Sequence, residues 1–208
     1  MAAIDALIAC DPDFSSIQER AGPLPWRRRD PGFPGLLQAI VAQMISNQAA
    51  AAIWGRLVAV PGALDPATMI ALPDEVLRGA GLSRPKVVHA RALATAFLDG
   101  TLSAERIALL DDEAAIVTIA SIRGLGRWTA EIYLLFALER LDVFPSGDVA
   151  LAAALMDLKG LAGRPAPKEL RALAVMWRPV RSMAARLLWH HWRYVTGRPA
   201  LDDFRIGV

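Results

Sequence analysis

The chain has 208 residues, of which 54% are hydrophobic and 21% are charged. This composition excludes an intrinsically disordered protein. The chain is long enough to bury a substantial core, in one domain or in two lobes. The formal net charge is only +2, yet all but three of the 23 basic residues are arginine, whose planar guanidinium suits phosphate, although an arginine-rich genome would give the same bias. A single cysteine, Cys10, excludes an internal disulfide and any cysteine-ligated zinc or iron–sulfur site built by this chain alone. The absence of a signal sequence and of a membrane-length apolar run predicts a soluble cytoplasmic protein without a membrane partner. A monomer is expected.

Apolar residues recur at helical spacing along almost the whole chain, which predicts an all-α fold. After an N-terminal piece, Pro23 to Gly35 is interpreted as an extended loop, and the clearest helical run, "GLLQAIVAQMISNQAAAAIWGRLVAV", then continues until Pro61 and Gly62 end it. Strand alternation and repeats are absent from the sequence. Further helices are predicted for Pro73 to Gly79, Pro85 to Leu98, Asp112 to Ser121, Trp128 to Glu139, Val149 to Lys159, Pro167 to Trp177 and Arg181 to Tyr194.

Two glycines one residue apart separate the helix that begins at Asp112 from the helix that follows Gly126. Gly124 tolerates the left-handed conformation that closes a helix, and Gly126 is expected to allow a second tight turn. Such a helix-hairpin-helix points the N–H groups at the start of its second helix outward, where they can hold a phosphate without reading a base. A plain connection between two helices is the alternative interpretation of the same two glycines.

Asp148 stands alone after Pro145-Ser146-Gly147 and directly before the apolar run "VALAAALMDL". This position predicts a helix N-cap, where the carboxylate accepts N–H groups of the first turn and its charge is stabilised by the positive helix end. Asp148 can be a cap and nothing more. A capping carboxylate that faces a cleft can also stabilise a cation that develops on a substrate.

The order of these pieces resembles the helix-hairpin-helix DNA glycosylase superfamily, and within it the 3-methyladenine DNA glycosylase II family. The motifs are "GLGRWTA" for the hairpin, "DVFPSGDVAL" for the loop with the catalytic Asp, "WRPVRSMAARLLWHHW" for the C-terminal helix, and "AIVAQMISNQAA" for the segment that invades the duplex. The resemblance runs from Phe33 to Trp192. It implies one glycosylase domain, 1–208, in a minimal form without the family's N-terminal β-rich subdomain. Two helical lobes are expected with a cleft between them, 34–147 with the hairpin motif at 112–139, and 1–33 plus 148–208.

The resemblance implies a base excision repair enzyme that flips an alkylated purine, such as 3-methyladenine or 7-methylguanine, out of double-stranded DNA and hydrolyses its glycosidic bond. No cofactor or metal is expected, and the protein would associate with the nucleoid when bound to DNA. Asp148 would be the catalytic residue, because positive charge builds on the deoxyribose as the bond breaks. Trp128 and Trp189 would line the base pocket, where aromatic faces attract a cationic base. The DNA-binding residues would be Gly124, Leu125, Gly126, Arg127 and Thr129, together with Gln43 and the wedge candidate Met44.

Trp128 also bears on the end point of the reaction. Bifunctional members of the superfamily carry a lysine at this position that forms a Schiff base with the sugar, and the indole here predicts an enzyme without lyase activity. The sequence departs from the family at Ile132, where a pocket tyrosine is common, with Tyr133 next to it.

Other interpretations remain open at this stage. Met44 can be a core methionine of an amphipathic helix, and both tryptophans can be core aromatics. Arg181 and Ser182 match the family's C-terminal motif and are expected to pack and hydrogen bond near the cleft. A mismatch uracil or thymine DNA glycosylase is the alternative enzyme, and a non-catalytic helix-hairpin-helix DNA-binding module is the alternative from another class.

Overall fold

The computed structural model describes residues 2–198, and all regular structure within them is helical, which confirms the predicted all-α class. None of these helices is long and apolar enough to cross a membrane. Two short 3₁₀ turns, Pro12–Phe14 and Ala174–Trp177, accompany the α-helices. The helices are α1 (Ala2–Cys10), α2 (Ser15–Ala21), α3 (Phe33–Ala42), α4 (Asn47–Val58), α5 (Pro66–Ala71), α6 (Asp74–Gly79), α7 (Arg84–Leu98), α8 (Ala104–Leu109), α9 (Asp112–Ala120), α10 (Arg127–Phe136), α11 (Val149–Lys159), α12 (Pro167–Leu173) and α13 (Arg181–Val195).

Within the described residues the chain forms two compact units, one of residues 2–27 with 139–198 and one of residues 28–138. The divisions therefore lie at 27/28 and 138/139, where the sequence-based lobes divide at 33/34 and 147/148. Residues 28–33 belong with the second unit because the Arg29 N–H donates to the Phe136 carbonyl at 2.9 Å. Residues 139–147 belong with the first unit because Arg181 and Ser182 of α13 hydrogen bond to this loop.

The unit of residues 28–138 is built around α3, which packs against α7 and α10. Leu36, Leu37 and Ile40 of α3 are completely buried, and burial of each such side chain stabilises the fold by about 1.5–3 kcal/mol. Tyr133 of α10 is also completely buried, and its hydroxyl accepts a hydrogen bond from the Gly32 N–H at 2.8 Å.

The other unit has α11 and α13 packed against each other. Its N-terminal segment is held by the buried carboxylate of Asp11, which accepts from the indole N–H of Trp177 at 2.9 Å and pairs with Lys159. A buried charge needs such partners, because an unpaired one would be costly to desolvate. The first helices, α1 and α2, are thereby fixed to α11 and to the Ala174–Trp177 turn.

The long apolar run from Gly35 to Val60 is two helices and not one. α3 ends at Ala42, and α4 begins at Asn47 behind Ser46, whose hydroxyl caps it by accepting from the Ala49 N–H at 3.2 Å. Residues 43–46 between them form a turn, which we call the wedge turn. The apolar spacing persists through this turn, so periodicity alone does not reveal the break.

Candidate functional site

Asp148 occupies the N-cap of α11, as its sequence position predicts. Its Oδ1 accepts hydrogen bonds from the backbone N–H groups of Ala150 at 2.8 Å and Leu151 at 3.0 Å. The carboxylate is thereby fixed at the positive end of an 11-residue helix, which stabilises its negative charge. The N-cap prediction is confirmed, and a chemical role for the carboxylate remains a prediction.

Trp189 of α13 lies beside Asp148. Its indole N–H donates to the same Oδ1 at 3.3 Å, and both side chains are half-buried. The hydrogen bond from the Trp189 indole N–H therefore helps to orient the Asp148 carboxylate. The two residues are 41 positions apart in the chain, so the sequence does not reveal this contact. The assignment of Trp189 to a base pocket remains a prediction.

The loop that leads to Asp148 is clamped by the first residues of α13. Arg181 makes a bidentate ion pair with the Asp142 carboxylate, at 2.7 Å and 2.9 Å, and also donates to the Asp142 carbonyl at 2.7 Å. The Ser182 hydroxyl accepts from the Val143 N–H at 3.0 Å and donates to the Val143 carbonyl at 2.9 Å. These contacts give the Arg-Ser pair of the C-terminal motif a definite role, since they set the path of the loop before Asp148.

Two further contacts complete the loop. Arg171 Nε donates to the Ser146 hydroxyl at 3.3 Å, and the Asp148 N–H donates to the Pro145 carbonyl at 2.9 Å. Arg171 and Asp142 are not predicted as site residues from the sequence, because their partners are distant in the chain, although Asp142 is the first residue of the motif "DVFPSGDVAL".

The hairpin has the predicted form, but its two glycines differ. Gly124 has a φ of +88°, and a Cβ built on it would overlap the His89 ring. Gly126 is the N-cap of α10 with an extended backbone, φ −100° and ψ 173°, that any residue adopts, and a Cβ there would meet open space. The expectation that Gly126 allows a second tight turn is therefore wrong, since its backbone is extended, and of the two glycines only Gly124 has a conformation that requires glycine.

The hairpin backbone presents donors at the start of α10. The Leu125 side chain is buried and its N–H already donates to the Ile122 carbonyl at 2.9 Å. The next N–H group, that of Gly126, has no backbone partner among residues 2–198, as is common at the N-terminus of a helix. The Gly126 N–H, and not that of Leu125, is therefore a hairpin donor that a phosphate can use.

Arg127 is engaged by carboxylates. Its guanidinium makes a bidentate pair with Glu113, both contacts at 2.7 Å, and its Nε donates to Glu131 at 3.0 Å. The hydrogen bonds to Glu113 are the main cause of the raised pKa of Arg127, whereas burial acts to lower that pKa. Direct phosphate contact by Arg127 remains a prediction, and the observed contacts tie α10 to α9. Only the Glu131 contact, at i+4 on one helix, is visible from the sequence.

The wedge turn exposes Met44 completely and gives it a left-handed φ of +58°. A buried core position for Met44 is thereby excluded. Gln43 next to it is tied to the hairpin, because its amide Nε2 donates to the Gly124 carbonyl at 2.9 Å and to the Thr129 hydroxyl at 3.1 Å. Thr129, a predicted DNA-binding residue, is buried and here accepts from a protein side chain.

The remaining predicted positions lie on α10. Trp128 is half-buried, and its pocket role remains a prediction. Ile132 is buried, and Tyr133 points into the core where it braces Gly32, so Tyr133 does not stand in for the family's pocket tyrosine. Residues 2–198 contain no cluster of three or more potential metal ligands.

Comparisons with known proteins identify the family and the fold of the chain. Residues 37–179 match the family model described as HhH-GPD superfamily base excision DNA repair protein. The alkylbase DNA glycosidase-like protein mag2 of Schizosaccharomyces pombe is 28% identical over 191 residues, which cover 88% of this chain and 89% of that protein.

Two solved structures are similar over nearly their full length. The 3-methyladenine DNA glycosylase of Schizosaccharomyces pombe in complex with abasic DNA superposes with a TM-score of 0.84 at 25% identity, covering 96% of this chain and 98% of that chain. The DNA-3-methyladenine glycosidase of Bacillus halodurans has a TM-score of 0.78 at 30% identity, covering 98% of this chain and 94% of that chain.

Proposed function

Because the chain belongs to the HhH-GPD superfamily of base excision DNA repair proteins, we propose that it is a monofunctional DNA glycosylase that removes alkylated purines from duplex DNA by hydrolysis. The observation that carries the proposal is the fixed carboxylate of Asp148, which accepts two helix N–H groups and the Trp189 indole through one oxygen. The names of its relatives, an alkylbase glycosidase-like protein and 3-methyladenine glycosylases, support alkylated bases as substrates.

Asp148 supplies the charge that the reaction needs. As the N-glycosidic bond breaks, the deoxyribose takes on oxocarbenium character, and a carboxylate held in advance stabilises this cation without reorganising. Its anchors on α11 and α13 keep the carboxylate in place while the charge develops. The base leaves with the electron pair of the glycosidic bond, water adds to C1′ and loses a proton to solvent, and an abasic site remains.

The wedge turn and the hairpin open and hold the duplex. Met44 enters the space that the flipped nucleotide vacates, because a fully exposed methionine is long, apolar and adaptable. The hairpin backbone, with the Gly126 N–H as a donor, holds a backbone phosphate without reading sequence.

Trp189 favours a cationic base. N3- and N7-alkylated purines carry positive charge, and an indole face attracts such a cation by about 0.5–2 kcal/mol. The edge of the ring that carries the N–H is used by Asp148, and the ring face supplies the contact to the base.

The proposal is tested by the bases that the protein releases. Duplexes containing 7-methylguanine, 3-methyladenine, hypoxanthine or a uracil mismatch are incubated with excess protein, and free bases are quantified over time. We expect release of the methylated purines, and we expect Trp189→Leu to slow release of 7-methylguanine more than that of neutral hypoxanthine.

Each alternative has its own outcome in this experiment. Preferential release of uracil would make the protein a mismatch glycosylase, and binding of every duplex without release of any base would make it a non-catalytic module. Equal slowing of both purines by Trp189→Leu would mean that the ring supplies shape and apolar surface alone.

A further inference from the structure

We propose that Gln43 is a positioning residue that ties the wedge turn to the hairpin. Insertion of Met44 into the duplex is thereby coupled to binding of the DNA backbone by the hairpin. The inference rests on the proposed role of the wedge turn in opening duplex DNA. It assigns to Gln43 a role inside the protein, where the sequence motif indicates a DNA contact.

Both donors of the Gln43 amide are committed to the hairpin. Nε2 donates to the Gly124 carbonyl at 2.9 Å and to the Thr129 hydroxyl at 3.1 Å, across more than 80 positions of the chain. An amide group has only these two N–H donors, so both are used within the protein. The bonds join the residue before Met44 to the bend of the hairpin and to the first turn of α10.

The wedge turn needs such a tie because the side chain of Met44 contributes no packing that would stabilise the turn. The Met44 side chain is completely exposed and its φ of +58° is unfavourable for a residue with a Cβ. Packing therefore does not stabilise this conformation at Met44. The Gln43 amide on one side and the Ser46 cap of α4 on the other hold the turn, together with the hydrogen bond from the Gln43 N–H to the Ile40 carbonyl at 3.2 Å.

The other end of the tie is rigid. Gly124 packs directly against the His89 ring, leaving no room for a Cβ, and Thr129 is buried. The end of α3 is held as well, since the buried Lys86 donates through Nζ to the Val41 carbonyl at 2.7 Å. Burial lowers the pKa of Lys86. A wedge fixed between these anchors inserts at a set distance from the phosphate that the hairpin holds.

The test compares Gln43→Met, which keeps the length of the side chain and removes the amide, with Gln38→Met as a matched control. Gln38 lies on α3, whose C-cap is Gln43; it is buried, and its Nε2 has no partner among residues 2–198. The readouts are the ratio of affinities for an abasic-site duplex and an undamaged duplex, and the fluorescence of 2-aminopurine beside the abasic site, which reports unstacking.

We expect Gln43→Met to lower the preference for the abasic-site duplex about tenfold, with little change in affinity for undamaged DNA, as loss of two hydrogen bonds predicts. Gln38→Met should leave both quantities unchanged. Thr129→Val, which removes one acceptor and preserves shape, should give a smaller loss in the same direction. Thermal unfolding of each variant identifies any general loss of fold.

The decisive comparison is made in a Met44→Ala background. If Gln43 acts through the wedge, Gln43→Met adds no further loss of preference once Met44 is truncated. A second loss of similar size would mean that Gln43 contacts DNA directly and would overturn the proposal, as would an unchanged preference in Met44→Ala itself. These measurements need binding but no catalysis, so a failure of the proposed glycosylase activity would be seen separately, in base release.

Discussion

At the scale of the residue, Asp148 shows what a sequence can and cannot predict. Its place before an apolar helical run predicts the N-cap, because capping is a local property of consecutive residues. The bond from the Trp189 indole and the Arg181 clamp on Asp142 depend on packing between distant segments. The motifs pointed to Trp189 and Arg181, but only the fold shows what each contacts.

Asp148→Asn should fold normally and lose most of its activity. The amide oxygen can still cap α11, whereas the negative charge that stabilises the sugar cation is gone, so single-turnover base release should fall by at least about 100-fold. Asp65→Asn is a matched control, since Asp65 caps α5 through the Thr68 N–H at 2.8 Å, and its excision rate should equal that of the wild type. Near-wild-type rates in Asp148→Asn would contradict the assignment.

At the scale of the element, the hairpin and the wedge turn differ in how well they are predicted. The glycine at position 124 predicts a turn with a positive φ, and Gly124 adopts such a φ in the structure. The break between α3 and α4 has no such mark, because Met44 adopts its positive φ without being a glycine and the apolar spacing continues across the turn. Its causes are the contacts of Gln43 and Lys86 with distant residues.

The two hairpin glycines should respond differently to alanine. Gly126→Ala places a methyl in open space, so stability should be unchanged, while affinity for DNA of any sequence should fall about tenfold because the methyl obstructs the approach of a phosphate. Gly124→Ala should instead lower the free energy of unfolding by about 1–3 kcal/mol, since its φ is positive and His89 fills the space. Thermal unfolding and binding to an abasic-site duplex check both variants. Unchanged affinity in a folded Gly126→Ala protein would argue against a phosphate at the hairpin.

At the scale of the whole molecule, most helices follow from the sequence and the division into units does not. The bounds of α11, Val149–Lys159, are the predicted ones, because an N-cap and a glycine frame a regular apolar run. The divisions at 27/28 and 138/139 are set by contacts of Arg29 and α13 with distant backbone, which no local pattern records.

The reaction should end at an abasic site. Trp128 stands where the lyases of the superfamily carry a lysine, and the buried Lys86 is engaged with the Val41 carbonyl, so no Schiff base is expected. Damaged duplex incubated with the protein should break only after alkali treatment, and borohydride should trap no adduct. A strand break or a trapped complex without alkali would show that another amine acts and that the enzyme is bifunctional.

The complete exposure of Met44 also makes this side chain chemically vulnerable. Its thioether lies open to peroxide, which converts methionine to a polar sulfoxide, whereas Met69 and Met183 are shielded by burial. A sulfoxide enters a base stack less readily than a thioether, so if Met44 is the wedge that we propose, its oxidation should weaken insertion into DNA while leaving the fold intact. Reduction of the sulfoxide restores the thioether, so under the proposed wedge role we expect oxidation at Met44 to weaken binding to DNA reversibly.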